Sequence, residues 1–265
     1  MAADAGAGVR LERAEGVARV ILDRPHVHNA FDDALIARLD ETFRALQADG
    51  RVRAVVLAAE GDSFSAGADL NWMRRMAAYG YDDNLADALR LGELLHRIAH
   101  LPKPVVALVQ GPAYGGGVGL VAAADIAIAS ERASFMMSEV RLGLVPAVVS
   151  PYVVAAIGPR QARRYFVTAE RIDAAEALRL GLVHQVVPAG ELEAAGARLI
   201  ERLNANAPAA MAASKDLVFQ VAGRALDDEL VAETARRIAE ARASPEGTEG
   251  IAAFLDKRKP GWAGG

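Results

Sequence analysis

The stretch Gly111-Pro-Ala-Tyr-Gly-Gly-Gly-Val-Gly-Leu120 decides how this chain is read. Five of the nine residues from Gly111 to Gly119 are glycine. Glycine is poor inside either a helix or a strand, so the cluster needs a reason. A β-branched apolar run, 104–109, leads into it, and small apolar residues, 118–124, lead out. A strand ends here and a helix begins. Two reasons fit equally well. One is a tight turn with close helix–strand packing. The other is a close approach, in which bare N–H groups at the helix start face a ligand.

Toward the N-terminus, 17–22 and 52–59 read as strands flanking a helix that Asp32 caps and that runs to about Ala48. Leu35, Ile36, Leu39, Phe43 and Leu46 give that helix one apolar face. Such a βαβ unit predicts parallel pairing and a right-handed crossover. Residues 23–29 form a loop around Pro25. Residues 60–73 form a second loop that turns into a helix near Asp69, with Asp69 as its cap. A helix over 83–100 follows, with Leu85, Leu89, Leu91, Leu94, Leu95 and Ile98 as its apolar residues, and Pro102 and Pro104 stop it.

Beyond the glycines, short strands are expected at 125–129 and 133–136. A helical turn begins at Ser138 and closes at Gly143 and Pro146. Helices at 151–157, 160–168 and 174–180 precede one last strand, 183–187. After Pro188 the pattern is helical throughout: 192–204, 209–221, 224–243 and 245–257. The chain divides into an α/β core, 1–190, and a helical C-terminal region, 191–265. No repeat of clean sequence period is present, and the first eight residues read as loose.

Composition narrows the function. With 265 residues, 52% of them hydrophobic, the chain can bury a sizeable core. A net charge of −4 argues against a dedicated nucleic-acid binder. The absence of cysteine excludes disulfides, thiolate metal sites and cysteine nucleophiles. Asp125 interrupts the longest apolar run before it reaches spanning length. The start MAADAGAG lacks the basic-then-apolar order of a leader. The expectation is a cytoplasmic protein with no membrane partner.

Several motifs are absent. The glycine cluster has Leu120 at the sixth position of a would-be G-x-G-x-x-G, and no phosphate-loop or nucleophile-elbow pattern occurs. His96 and His100 lack the glutamate of a zinc-protease helix and suit a helix C-terminus. His26 and His28 have only Asp23 nearby, so no metal site is expected.

Two loops remain, Ala66-Gly-Ala-Asp69 and Gly115-Gly-Gly-Val-Gly119, each following a buried strand and opening a helix. In α/β cores ligands gather at strand C-terminal ends. Two N–H groups from these loops could converge on one oxygen as an oxyanion hole, or the loops could be plain turns. Glu139 sits in Phe135-Met-Met-Ser-Glu-Val140. Apolar surroundings would raise its pKa and make it an acid/base group, or it could help cap the short helix. Trp72, Met73, Met76, Tyr79 and Tyr81 fit either a lid over a pocket or ordinary helix packing.

These blocks resemble the crotonase (enoyl-CoA hydratase/isomerase) superfamily. The residues that carry the resemblance are Leu22-x-Arg-Pro-x-x-x-Asn-Ala-Phe31, Phe64-Ser-Ala-Gly-Ala-Asp-Leu70, the glycine stretch, Ser138-Glu-Val-x-Leu-Gly-Leu-x-Pro146, Thr168-Ala-Glu-Arg-Ile172 and Ala253-Phe-Leu-Asp-Lys-Arg258. The resemblance implies an α/β fold, a spiral core of ββα units with a helical C-terminal trimerisation region. It implies oxyanion N–H groups at Ala68 and Gly116 and acid/base positions at Gly119 and Glu139. Typical hydratases have glutamate at both acid/base positions, whereas this chain has glycine at the first. The resemblance places CoA contacts at Arg24, His28, Asn29, Ala66, Ala68, Asp69, Leu70, Asn71, Gly116, Phe254 and Lys257. Coenzyme A is then part of the substrate, and no separate cofactor is implied.

Asp69-Leu-Asn-Trp-Met73, Gly119 and Ala147-Val-Val-Ser-Pro151 are similar to bacterial methylglutaconyl-CoA and isohexenylglutaconyl-CoA hydratases. That implies an acyl-CoA substrate with a second carboxylate, from leucine/isovalerate or acyclic terpene breakdown, and a homotrimer paired into a hexamer. A Δ3,Δ2-enoyl-CoA isomerase using one glutamate stays open. RNA binding is the remote alternative, with Arg160, Arg163, Arg164 and Arg171 as a basic face.

Overall fold

The computed structural model describes residues 4–6 and 8–263. Seven strands form the main sheet, in spatial order β1 (Asp4–Gly6), β2 (Val9–Ala14), β3 (Val17–Leu22), β4 (Ala54–Ala59), β5 (Val105–Val109), β7 (Ile126–Ser130) and β10 (Gln185–Val187). A smaller sheet joins β6 (Ala113–Tyr114), β8 (Ser134–Met136) and β9 (Ile172–Asp173). The helices are α1 (Asp33–Ala48), α2 (Leu70–Met76), α3 (Tyr81–Ala99), α4 (Gly116–Ala123), α5 (Ser150–Thr168), α6 (Ala174–Leu180), α7 (Leu192–Asn204), α8 (Pro208–Val221), α9 (Asp228–Ala243) and α10 (Pro245–Leu255).

The first three strands pair antiparallel, and from β3 across to β10 every pairing is parallel. The expected βαβ unit is thus β3–α1–β4. Asp32 caps α1 by accepting from Leu35 N, and the five expected apolar residues of α1 are all buried. β5 is buried along its whole length, as suits an interior parallel strand covered on both faces. One face of the sheet packs under α1, α3, α4 and α5; the other buries Ile21, Val56, Val106, Leu108 and Ile128 under Leu192 and Ala195 of α7.

The structural repeat follows the strands. β5 leads to β6 and α4, and β7 leads to β8 and a helical turn. After β3 and β4 the second strand shrinks to single bridges, Phe31 with Ala68 and Ser65 with Ala113. These bridges extend the small sheet sideways and bring the ends of successive repeats together. This is the α/β spiral of ββα units that the resemblance implies.

Some expectations need correction. β2 was not anticipated. It pairs with β3 through a hairpin turn at Glu15 (φ 49°) and Gly16 (φ 76°), the two positive φ values that a tight hairpin needs. The first eight residues are not all loose, because Asp4–Gly6 pairs with β2; residues 1–3 and 7 lie outside the described residues. The two helices expected over 151–168 are present, and α5 is interrupted between them at Gly158, whose φ of 75° and ψ of 158° are not helical. α9 begins four residues later than expected, because Asp227 caps it by accepting from Leu230 N. Leu85 and Leu89 are exposed rather than packed.

The C-terminal region is attached differently from the core. Within α8, α9 and α10 only Leu230 and Ala253 are buried, while Phe219, Val231, Ile238, Ile251 and Phe254 are exposed. Lys215 of α8 forms a 2.7 Å ion pair with Asp125 at the foot of β7, and Arg53 donates to the carbonyls of Asn204, Asn206 and Trp262. Among the described residues no helix is long and apolar enough to cross a membrane.

Candidate active site

Three segments meet where the small sheet crosses the ends of β4 and β5. Phe31 N donates to Gly67 O (2.6 Å), Asp69 N to Phe31 O (2.7 Å), Tyr114 N to Ser65 O (2.9 Å) and Gly115 N to Met136 O (2.9 Å). This lacing sets Gly67 (φ +88°) against Gly115 (φ +51°). A Cβ on Gly67 would lie 3.1 Å from Tyr114 O and 3.9 Å from the Cα of Gly115. The backbones pack closely, as the tight-turn reading expects, and that packing leaves two donors bare. Among the described residues, the N–H groups of Ala68 and Gly116 donate to no acceptor. Gly116 is the first residue of α4, so its N–H carries the positive end of that helix. An oxyanion shared by two such donors would be stabilised by up to about 4 kcal/mol per donor.

Glu139 closes the corner. Its Oε1 lies 3.5 Å from where a Cβ on Gly115 would stand. Its Oε2 is buried and has no hydrogen-bond partner. Ser138, at the start of the short 3-10 turn Glu139–Leu142, makes no side-chain capping hydrogen bond. Burial pushes its carboxyl above the ordinary carboxylate value, and the only opposing influence is its own backbone N–H. A carboxyl so placed can take and return protons near neutrality.

Gly119, one turn further along α4, faces away from open space. A Cβ there would lie 2.6 Å from Val149 Cγ1 and 3.1 Å from Leu95 Cδ1, both on buried residues. Val149 occupies the volume a side chain at 119 would need. Gly116 is bounded in the same way by Phe31, whose ring carbons would lie 2.7 and 2.8 Å from its Cβ.

The expected CoA contacts divide into three groups. Ala66, Ala68, Asp69, Leu70 and Asn71 follow one another along the corner's outer lip, with Leu70 exposed. Asp69 is the cap of α2, accepting from Asn71 N (2.8 Å) and Trp72 N (3.2 Å). Arg24, His28 and Asn29 lie on the neighbouring loop and are largely engaged within the fold. Arg24 joins Asp32 (2.7 Å) and approaches Asp69 (3.7 Å), so it ties together the caps of α1 and α2. Asn29 is fully buried; its side chain accepts from Arg24 N and donates to Glu60 O and Ser63 O, each at 2.8 Å. His28 Nδ1 meets Ser63 Oγ at 3.1 Å. Phe254 and Lys257 stand apart on and after α10, which packs on α8 and α9. Among the described residues no hydrogen bond joins them to the corner.

A sequence profile of the Enoyl-CoA hydratase/isomerase family matches residues 12–265. The chain belongs to that family. An enoyl-CoA hydratase from Shewanella pealeana is similar at 45% identity, with a TM-score of 0.94 and 96% of each chain covered. Pseudomonas aeruginosa AtuE is similar at 40% identity, with a TM-score of 0.92, covering 97% of this chain and 99% of that one. The short-chain-enoyl-CoA hydratase of Clostridium acetobutylicum is 32% identical over 257 residues, 95% of each chain. The chain is thus an enzyme of a crotonase-fold family that acts on acyl-CoA thioesters and is typically oligomeric.

Sequence reasoning missed Phe31, Leu95 and Val149 as neighbours of the glycine corner, because they act through tertiary contacts that no local pattern encodes. Asp87, buried on α3, had a signal: it interrupts the apolar stripe of that helix four residues before Leu91. Of the suggested lid, Trp72 is buried and Met76 packs on the core, whereas Tyr81 is exposed.

Proposed function

We propose that this chain hydrates an α,β-unsaturated acyl-CoA thioester and catalyses the reverse dehydration, on a methylglutaconyl-type substrate from leucine/isovalerate or acyclic terpene breakdown. The observation that carries the reading is the half-buried Glu139 carboxylate, its Oε2 without a hydrogen-bond partner, beside the bare N–H groups of Ala68 and Gly116. The thioester oxygen would lie between those two donors. Water adds its oxygen to C3, the C2=C3 π electrons move onto the thioester oxygen, and the enolate collapses as a proton reaches C2. Glu139 takes the proton from water and returns one to C2, since Gly119 offers no side chain. The residues placed at CoA, from Arg24 to Asn71 with Phe254 and Lys257, belong to the same proposal. So does a homotrimer paired into a hexamer, for which the exposed apolar residues of α8, α9 and α10 are the support.

One observation favours a second reading. Val149 and Leu95 fill the space beside Gly119, so one carboxylate serves the corner, and a Δ3,Δ2-enoyl-CoA isomerase needs only one. RNA binding gains no such support, because Arg164 is paired with Glu170 at 2.6 Å. Product identification after incubation with 3-methylglutaconyl-CoA and with a 3-enoyl-CoA separates hydratase from isomerase. Hydration of neither 3-methylglutaconyl-CoA nor another 2-enoyl-CoA would remove the hydratase reading.

A further inference from the structure

The first ten residues of α3, 81–90, invert the usual order of a surface helix. Tyr81, Leu85 and Leu89 are exposed, and the single buried residue is the carboxylate Asp87. Asp87 lies on the same stripe as Leu91 and Leu95. Leu91 stands against Gly116 and Leu95 against Gly119, so α3 and α4 run side by side in one direction. One turn before Leu91, Asp87 is therefore level with the space in front of α4, where the acyl group would extend. Its Oδ1 accepts from Arg90 at 3.1 Å, which engages one of the five guanidinium donors. The buried Trp72 indole, on α2, faces the same carboxylate and helps to hold its charge against the burial that raises Asp87 above its ordinary value.

We propose that Arg90 receives a second carboxylate carried by the acyl chain, with Asp87 as the positioning residue that holds Arg90. This assignment rests on the dicarboxylic substrate proposed above. Asp87 alone would repel an anion; with Arg90 between them the charges alternate, and the planar guanidinium can bind a carboxylate through paired N–H groups. Other arginines around the site are held elsewhere: Arg24 by Asp32, Arg75 by Asp33 and Arg141 by the carbonyl of Ala169.

Crotonyl-CoA and glutaconyl-CoA differ by one terminal carboxylate and serve as the probes, with the full chain and its variants. The wild type is expected to favour glutaconyl-CoA in kcat/KM. Arg90→Gln should reduce that preference by about 10–100-fold, chiefly through KM, the range for a lost charge-assisted hydrogen bond. Arg90→Lys should recover part of it. Asp87→Asn should raise KM for glutaconyl-CoA while kcat holds; a purely structural role would lower kcat for both substrates alike. A wild type that prefers glutaconyl-CoA, with Arg90→Gln unchanged in that preference, overturns the Arg90 assignment alone. A wild type that prefers crotonyl-CoA overturns both this assignment and the dicarboxylic reading.

Discussion

On one side of the site, Gly67, Gly115 and Gly116 are hemmed in by Tyr114 O, one another's Cα atoms and the ring of Phe31. On the other side, α3 opens with Leu85 at 45% and Leu89 at 54% exposure and reaches the interior there only through Asp87. The first side holds its chemistry in the backbone, where N–H direction depends on neighbours that cannot give way. The second presents side chains that can be exchanged without disturbing the sheet. Changes to the first should therefore abolish turnover, and changes to the second should redirect it.

The largest effect is expected at Glu139. Glu139→Gln should lower turnover by about 10²–10⁴-fold, the usual contribution of a positioned acid/base group. The same variant should be more stable than wild type at pH 7. Burial raises the native carboxyl above its ordinary 4.5, so the native state binds that proton more tightly than the unfolded chain. Stability from this group then falls as pH rises from about 4.5 through the native value. The advantage of Glu139→Gln should disappear below pH 4.5 in urea titrations.

Next comes the glycine corner. Gly116→Ala places a methyl against Phe31 and forces the first turn of α4 to shift. A loss of about 10²-fold in kcat is expected for a displacement near 1 Å, read by steady-state kinetics. Gly119→Glu tests the wall one turn further on. Alone it should destabilise by about 1–3 kcal/mol, because Val149 and Leu95 already occupy the space. Combined with Val149→Gly, the cost should shrink, and a double-mutant cycle in urea should give a coupling of about 0.5–3 kcal/mol. Purely additive effects would mean that Val149 does not guard that position. The smallest effect belongs to the open side: Leu89→Ser should change stability by no more than about 0.5 kcal/mol while shifting preference among acyl chain lengths.

The same division marks what could be read from the sequence. α1, with its Asp32 cap and five buried apolar residues, and the interior strands β4 and β5 were legible because their side-chain periods are local. β2 carries a readable alternation, Val9-Arg10-Leu11-Glu12, that is easily missed because it spans only four residues, and β6 and β9, of two residues each, have no period to read. The glycine stretch announced the corner, and the resemblance pointed to Ala68, Gly116 and Glu139. Neither could show that Val149 fills the place beside Gly119. That contact joins residues 30 positions apart and depends on how α5 docks on α4.

The central claim is that Ala68 and Gly116 stabilise an enolate while Glu139 moves the proton at C2. Butyryl-CoA in D2O tests it directly, because this thioester has no double bond to hydrate and only the C2 proton can respond. Deuterium entering C2, followed by mass spectrometry, should be readily detected with the wild type and slowed by at least about 10²-fold in Glu139→Gln. Exchange in Glu139→Gln as fast as in the wild type would contradict the account.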